Sequence, residues 1–548
     1  MPCGRLRVAR RRVSGPKSGY HESGASPMDG VQETRCMNPA TGELLGRSPL
    51  DTVEDVLAKI ARARIAQSLW AETPIRRRAQ AMLRVRDYVA AHADELSETI
   101  SRDNGKTRMD AISTEVLPAA IAASYYAKHA RRFLRTRLLR PATLVMANKR
   151  SRVRRVAWGV VGIIAPWNYP FGIPFSEVVM ALLAGNAVIL KVASQTQMVG
   201  RALEQCIAAA GLPADVFSYV NLPGQLAGTT LLESGINKIF FTGSTAVGKQ
   251  LMVKAAETLT PLCLELGGND AMLVCPDADV PRAVAGAVWA GLSNCGQSCA
   301  GVERVYVHAQ VHDAFLALLG KRVAALRVGP DRDYDVDLGA MTTQSQMETV
   351  RRHVQDALDR GATMFARSQC PAEGAGNFLP AMVLANVDHS MLVMREETFG
   401  PVLAVMRTDS MDQAVALAND SVYGLSGSVW SRDRKAARRL AERLHAGAVM
   451  INDHLMSHGL AETPWGGFKQ SSVGRSHGEI GFAEMTQPQC IIDDLLPGVR
   501  KNLWWHPHGR DVYRTMTSLI DMLYARRWSA RISGCCRLLK TLPRVFRP

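Results

Sequence analysis

Residues 290 to 304 read AGLSNCGQSCAGVER and set Cys295 and Cys299 four positions apart on an uncharged background of Gly, Ser, Asn and Gln. Two such thiols have four fates: metal ligands, a disulfide, buried filler or a nucleophile. A zinc site needs further ligands at suitable spacing, and no CxxC accompanies the pair, so no metal is expected. A disulfide is disfavoured because the 11 cysteines are scattered, without repeated short spacing. Burial is the commonest fate of a free Cys, but the flanking Gln and Ser suit a core poorly. A thiolate nucleophile beside a polar loop is the sharper reading for Cys299.

Three further stretches hold groups that nucleophilic chemistry would need. LELGGND places Glu265 at the end of an apolar run, where partial desolvation raises a carboxylate's pKa toward the range of a general base. A strand-end Glu is ordinarily just solvated, but the Gly-Gly that follows suggests close backbone approach. IIAPWNYPF puts Trp167, Asn168 and Tyr169 past a strand end, where Asn168 can donate to a developing oxyanion or, in the plainer reading, cap local backbone. FTGSTAVGK places Gly243, Ser244 and Thr245 where helix amide groups point outward, a seat for an anion such as a pyrophosphate. GxGxxG is absent there, and taken alone the Gly is structural.

The elements that must position these groups are legible in the apolar pattern. Between Val153 and Gly268, runs such as VVGIIAPWN, AVILKVA, VFSYVN, KIFFTG and PLCLELGG alternate with helical patterns. That is the signal of βα units feeding a doubly wound parallel sheet, with ligands at the carboxyl ends of its strands. A second α/β domain follows Ala271, with AMLVC, RVYVHA, the helix HDAFLALLGKRVAAL and later AVMIND. Residues 48 to 137 read as mostly helical. The expected division is 1–27 a basic extension, 28–270 a cofactor-binding domain, 271–450 a catalytic domain, 451–493 a return segment and 494–548 a basic amphipathic tail.

The 548 residues exceed a single ordinary core. The formal charge of +16 sits at the ends, +5 on residues 1–27 and +9 on residues 500–548, so the body is near neutral and presents no nucleic-acid face. The Arg-rich start lacks the apolar core of a secretory signal; it reads as a disordered extension before Met28, with a transit peptide as the alternative. Ala283 to Val302 is uncharged, but its Ser, Asn, Gln and Gly argue against a membrane span. In the tail, DVYRTMTSLIDML places Val512, Met516, Leu519, Ile520 and Leu523 on one helical face. WSARISGCCRLLKTLPRVF follows with Trp528, Ile532, Leu538, Leu539 and Leu542 among Arg and Lys. This is the pattern of a peripheral membrane contact, or of helices that pack on the body or another subunit.

LELGGND, NCGQSCAG, PWNYP, GSTAVG, EETFGPV and PWGGFKQSSVGR, in their order along the chain, resemble the aldehyde dehydrogenase superfamily over about Gln32 to Asp493. The resemblance implies a Rossmann-like cofactor domain, a second α/β domain carrying Cys299, and a small oligomerisation arm near Thr143 to Arg155 that meets the strand near Gln487 to Ile492 in a homodimer or homotetramer. It implies that Cys299 attacks a small-molecule aldehyde, that Asn168 holds the oxyanion, and that Glu265 activates the water that releases the acid. Cys295, one turn away if the segment is helical, is then a packing neighbour. NAD or NADP would lie on Lys191, Ser194, Gly243, Ser244 and Trp167, with Glu397 and Phe399 at the nicotinamide end. Glu265 favours hydrolysis over acyl transfer to coenzyme A. Two departures from the family pattern matter. Ser194 stands where NAD-specific members often carry Glu, so NADP is tolerable. Ser176 and Glu177 stand where succinate-semialdehyde members can carry Arg. With Tyr169, Ile173, Trp465 and Trp289 near the tunnel, an uncharged aliphatic or aromatic aldehyde is expected, in the cytoplasm. The alternatives are a succinate-semialdehyde-type enzyme or a catalytically silent, membrane-associated interaction protein.

Overall fold

Apolar runs without polar interruption become strands buried on both faces, the environment that parallel pairing between helical layers creates. In the computed structural model, which describes residues 32–496, 498–541, 543 and 545, Val160–Ile164, Ala187–Lys191 and Lys238–Thr242 are buried at every position. The proposed extension 1–27 and Leu542 lie outside the described residues.

These strands belong to a six-stranded sheet in the order Ser472–Val473, Leu262–Glu265, Lys238–Thr242, Val160–Ile164, Ala187–Lys191, Phe217–Val220. All its pairs are parallel except the first. The chain enters at Val160–Ile164, winds outward through 187 and 217, then returns to the other side through 238 and 262. The winding therefore reverses beside Val160–Ile164, and the crevice outside the carboxyl ends opens there. Helix Gly172–Ala184 is apolar apart from Ser176 and Glu177 and is buried at every residue beneath this sheet. The expected helical stretch 48–137 holds Val53–Glu72, Ile75–Ala91, Ala93–Asn104 and Leu117–Phe133.

A seven-stranded sheet follows in the order Thr363–Arg367, Met382–Ala385, Val402–Thr408, Val302–His308, Asp270–Val274, Ser426–Trp430, Ala448–Ile451. Glu265 ends one sheet and Asp270 begins the other, so the Gly267–Gly268 linker lies where the two sheets meet. Cys299 sits in the loop between helix Val280–Leu292 and strand Val302–His308. A third, antiparallel sheet joins Arg137–Leu139, Lys149–Ala157 and Thr486–Asp494, with the last strand on an edge.

The tail forms a helical hairpin, Arg510–Tyr524 and Trp528–Thr541. The single apolar face expected for the first helix is not what forms. Val512 and Leu519 are buried and Met516 and Leu523 half-buried, but Ile520 is exposed, because the buried surface also takes in Thr515 and Ser518. No described helix is long and apolar enough to cross a membrane.

Candidate active site

The Cys299 loop is fixed by amide side chains. Asn294 and Cys295 take left-handed φ of 52° and 55°, followed by Gly296 at 69°, so the segment is a tight turn and the two thiols are not successive turns of one helix. A Cβ on Gly296 would fall 2.0 Å from the Gly400 carbonyl oxygen, which reserves that position for glycine. Cys295 is buried and its Sγ donates to the Gly339 carbonyl at 3.1 Å. Asn294 Nδ2 donates to the carbonyls of Asn168 and Gln297, at 2.9 and 3.1 Å, and Gln297 Oε1 accepts the Thr342 N–H at 3.0 Å. The polar residues that spoke against a core therefore satisfy buried backbone.

Asn168 meets this loop from the other sheet. Its Nδ2 donates to the Gln297 carbonyl at 3.1 Å, which uses one of its two N–H groups and leaves the second for a substrate oxygen. Its own carbonyl accepts from Lys106 Nζ at 2.8 Å. Lys106 in turn pairs with Glu115 at 2.6 Å, both side chains fully buried, and Glu115 takes the Phe171 and Gly172 N–H groups.

The glycine pair after Glu265 allows two close approaches. A Cβ on Gly268 would meet the Cys299 carbonyl oxygen at 2.1 Å, and one on Gly267 would meet Glu397 Oε2 at 2.5 Å. Gly268 N–H donates to Glu397 Oε1 at 2.9 Å, and Gly243 N–H to the Glu265 carbonyl at 3.0 Å. Glu265 itself is buried with neither carboxyl oxygen hydrogen-bonded. Burial, and then the neighbouring Glu177, hold its carboxyl well above the ordinary range. The half-buried Cys299 thiol is likewise pushed up, first by burial and then by Glu397, Asp270 and Glu265.

Two cavities meet at Cys299. One, of about 150 Å³, is lined by Leu117, Ile121, Ile173, Trp289, Met456 and Trp465 among others, and no Asp, Glu, Lys or Arg reaches it. The other, of about 10 Å³, is on the scale of one water and is lined by Glu265, Glu177, His458, His477 and Thr242. Trp289, Tyr169, Ile173 and Trp465 thus stand where the sequence placed them. Ser176 is buried and lines neither cavity.

The remaining named residues are placed as follows. Lys191 ends its strand beside Ile164, and burial alone pulls its ammonium down to about 8. Ser194 opens the turn that follows. Ser244 caps helix Thr245–Thr258, its hydroxyl accepting the Val247 N–H. Trp167 and Phe399 meet edge to face with ring centroids 5.5 Å apart. Phe399 holds φ of 52° because Glu303 accepts the N–H groups of both Thr398 and Phe399, at 2.9 and 2.7 Å.

The aldehyde dehydrogenase family model matches residues 27–491. The chain belongs to the aldehyde dehydrogenase family. A 4,4'-diapolycopene aldehyde oxidase of Methylomonas sp is 38% identical over 490 residues, covering 89% of this chain and 91% of that protein. A "Putative succinate-semialdehyde dehydrogenase (NADP(+))" of Mycolicibacterium smegmatis is 37% identical over 85% of this chain and 90% of its own. The NAD+ complex structure of an aldehyde dehydrogenase from Bacillus cereus matches with TM-score 0.81 at 30% identity, covering 85% of this chain and 94% of that one.

As an aldehyde dehydrogenase the chain is an oxidoreductase acting on aldehydes with NAD or NADP. The residues present fit such a dinucleotide in kind: a buried ammonium at Lys191 whose only perturbation is burial, a helix N-terminus at Thr245, and the aromatic pair Trp167 and Phe399. Several supporting residues carry no signal in the sequence. Lys106, Glu115 and Glu303 act on backbone 56 to 96 positions away, and nothing local marks them. His454 and His458 stand at HxxxH spacing, far along the chain from the cysteine pair. His454 bonds the Ala300 carbonyl and Ser428 Oγ, and among the described residues no cluster could hold a metal.

Proposed function

We propose that this aldehyde dehydrogenase oxidises an aldehyde borne on an uncharged, apolar chain to the carboxylic acid. The observation that carries the reading is the pair of cavities meeting at Cys299, one uncharged and wide enough for a chain, the other water-sized and faced by Glu265. Cys299 gives up its proton to Glu265, which passes it on to solvent, and its sulfur bonds the aldehyde carbon, while the free N–H of Asn168 and the Cys299 backbone N–H hold the oxyanion. NAD(P)+, when bound, accepts the hydride that leaves this carbon. Cys299 then carries a thioester. Glu265 removes a proton from the chamber water, which attacks the thioester carbon, releases the acid and restores the thiolate.

Lys191, Ser194, Gly243, Ser244 and Trp167 would hold the dinucleotide, with Glu397 and Phe399 at its nicotinamide end. With Ser194 supplying no carboxylate, a 2′-phosphate meets no repulsion there, so NADP is accepted as well as NAD. The two sheets are taken as the cofactor and catalytic domains, and the exposed edge of Thr486–Asp494 as the seat of a homodimer or homotetramer contact.

The diapolycopene name of one relative favours a long apolar substrate; the succinate-semialdehyde name of another favours an anionic one. The uncharged tunnel supports the first, since a carboxylate tail would be desolvated without a partner. A series of linear alkanals against succinate semialdehyde, followed by nicotinamide absorbance, tests this. The expected kcat/KM rises about fourfold per CH₂ until the tunnel is filled. Preference for succinate semialdehyde would overturn the substrate reading and leave the reaction class intact.

A further inference from the structure

Helix Trp528–Thr541 is held to the protein by one face only. Gly534 is buried against its partner helix, where a Cβ would come within 2.5 Å of the Ser518 carbonyl oxygen and 2.8 Å of the Met522 nitrogen. With that contact set, positions 528, 532, 535 and 539 share a stripe turned away from it, at the spacing that lines one side of a helix. Trp528 is 75% exposed, Ile532 62% and Leu539 60%, and Cys535 is exposed between them. Apolar residues scattered singly over a surface need no explanation, but a Trp and an Ile one turn apart, with a Leu two turns further along the same side, form a patch.

Charge identifies what covers it. The helix contains Arg531, Arg537 and Lys540 and no acid, Arg537 is turned to Asp521 of the partner helix at 3.8 Å, and Arg526 and Arg527 precede it. Arg531 lies over the Trp528 ring at 5.4 Å. A second copy of this helix would bring the same cations against these. An anionic lipid surface complements them, and its acyl region accepts the stripe. The helix is about 21 Å long at 1.5 Å per residue, too short to span a bilayer but suited to lie along one.

We propose that helix Trp528–Thr541 lies in the headgroup layer of an anionic membrane, with Trp528, Ile532 and Leu539 reaching the acyl chains and Arg526, Arg527, Arg531 and Lys540 meeting lipid phosphates. The inference does not depend on which aldehyde the enzyme oxidises. Flotation of the full-length protein with phosphatidylcholine vesicles, with and without phosphatidylserine, at low and high salt, tests it. Wild type is expected to float with the phosphatidylserine vesicles and to lose most of that binding at high salt. Ile532→Glu/Leu539→Glu is expected to keep its circular dichroism and Tm, because both sites are exposed, and to bind these vesicles at least about tenfold less. Absence of flotation in wild type, or equal flotation of the variant, overturns the proposal. So does a variant whose mass by light scattering falls while neither protein floats, since the stripe would then join copies of this chain.

Discussion

At Cys299, burial and the carboxylates of Glu397, Asp270 and Glu265 all favour the protonated thiol, so the nucleophile depends on a base that removes its proton. Glu265 is suited to that exchange because its own carboxyl is raised, which makes it a stronger base once ionised. A base of raised pKa is protonated at acid pH and gains function as pH climbs through its pKa, so turnover is expected to rise on the alkaline side of the ordinary carboxylate range. After burial, Glu177 is the next cause of the shift. Glu177→Gln is therefore expected to move the rising limb of the pH–kcat profile to lower pH; a limb that stays in place would rule out this coupling. Glu265→Gln should slow the first-turnover burst of reduced nicotinamide as well as steady-state turnover, the latter by about 10²- to 10⁴-fold, measured by stopped-flow absorbance. At Ser194 a carboxylate would repel a 2′-phosphate, so Ser194→Glu is expected to reduce kcat/KM for NADP relative to NAD by about tenfold or more. Equal loss with both cofactors would separate Ser194 from that end of the dinucleotide.

The loop that presents Asn168 is a strand-to-helix connection whose position rests on one buried ion pair. Lys106 bonds the Asn168 carbonyl, and Glu115 caps Phe171 and Gly172. Removing one partner strands the other charge in the interior, so Lys106→Met is expected to cost about 3–5 kcal/mol in urea unfolding and to lower kcat. Lys106→Met/Glu115→Leu should recover much of the stability but little of the rate, because the loop loses its anchors in both. This pair also marks how far the sequence could be read. Strands such as Val160–Ile164 were legible because continuous burial leaves a continuous apolar run. The Gly-Gly after Glu265 was legible because close backbone approach excludes a Cβ. Lys106 and Glu115 look like ordinary solvated helix charges, and only the tertiary fold brings them under Asn168. Thr363–Arg367 escaped notice for the opposite reason, since an exposed, antiparallel edge strand of alternating burial leaves no apolar run. The turn at Cys299 misled by its spacing, because an i, i+4 pair suggests a helix while Asn294 and Cys295 are left-handed.

At the scale of the whole molecule, the third sheet ends on an exposed edge strand. Strand Thr486–Asp494 pairs with Lys149–Ala157 on one side, where Lys149 meets Asp494 and Arg152 meets Asp493, and its other side is an edge. It exposes Cys490, Ile491 and Ile492 in succession. An unprotected edge of this kind is a template for another strand, and in a homo-oligomer the self-complementary partner is the same strand of a second copy. Ion pairs on the paired side fix the register, so both apolar side chains are presented at defined positions. A lysine there would set like charges against each other across a two-fold axis and leave them desolvated. Ile492→Lys is accordingly expected to shift the enzyme toward monomer in light scattering, with an unchanged Tm at high dilution because the residue is exposed within one copy. If the mass is unchanged while Tm falls, residue 492 supports the fold of its own subunit and the contact between copies lies on another surface.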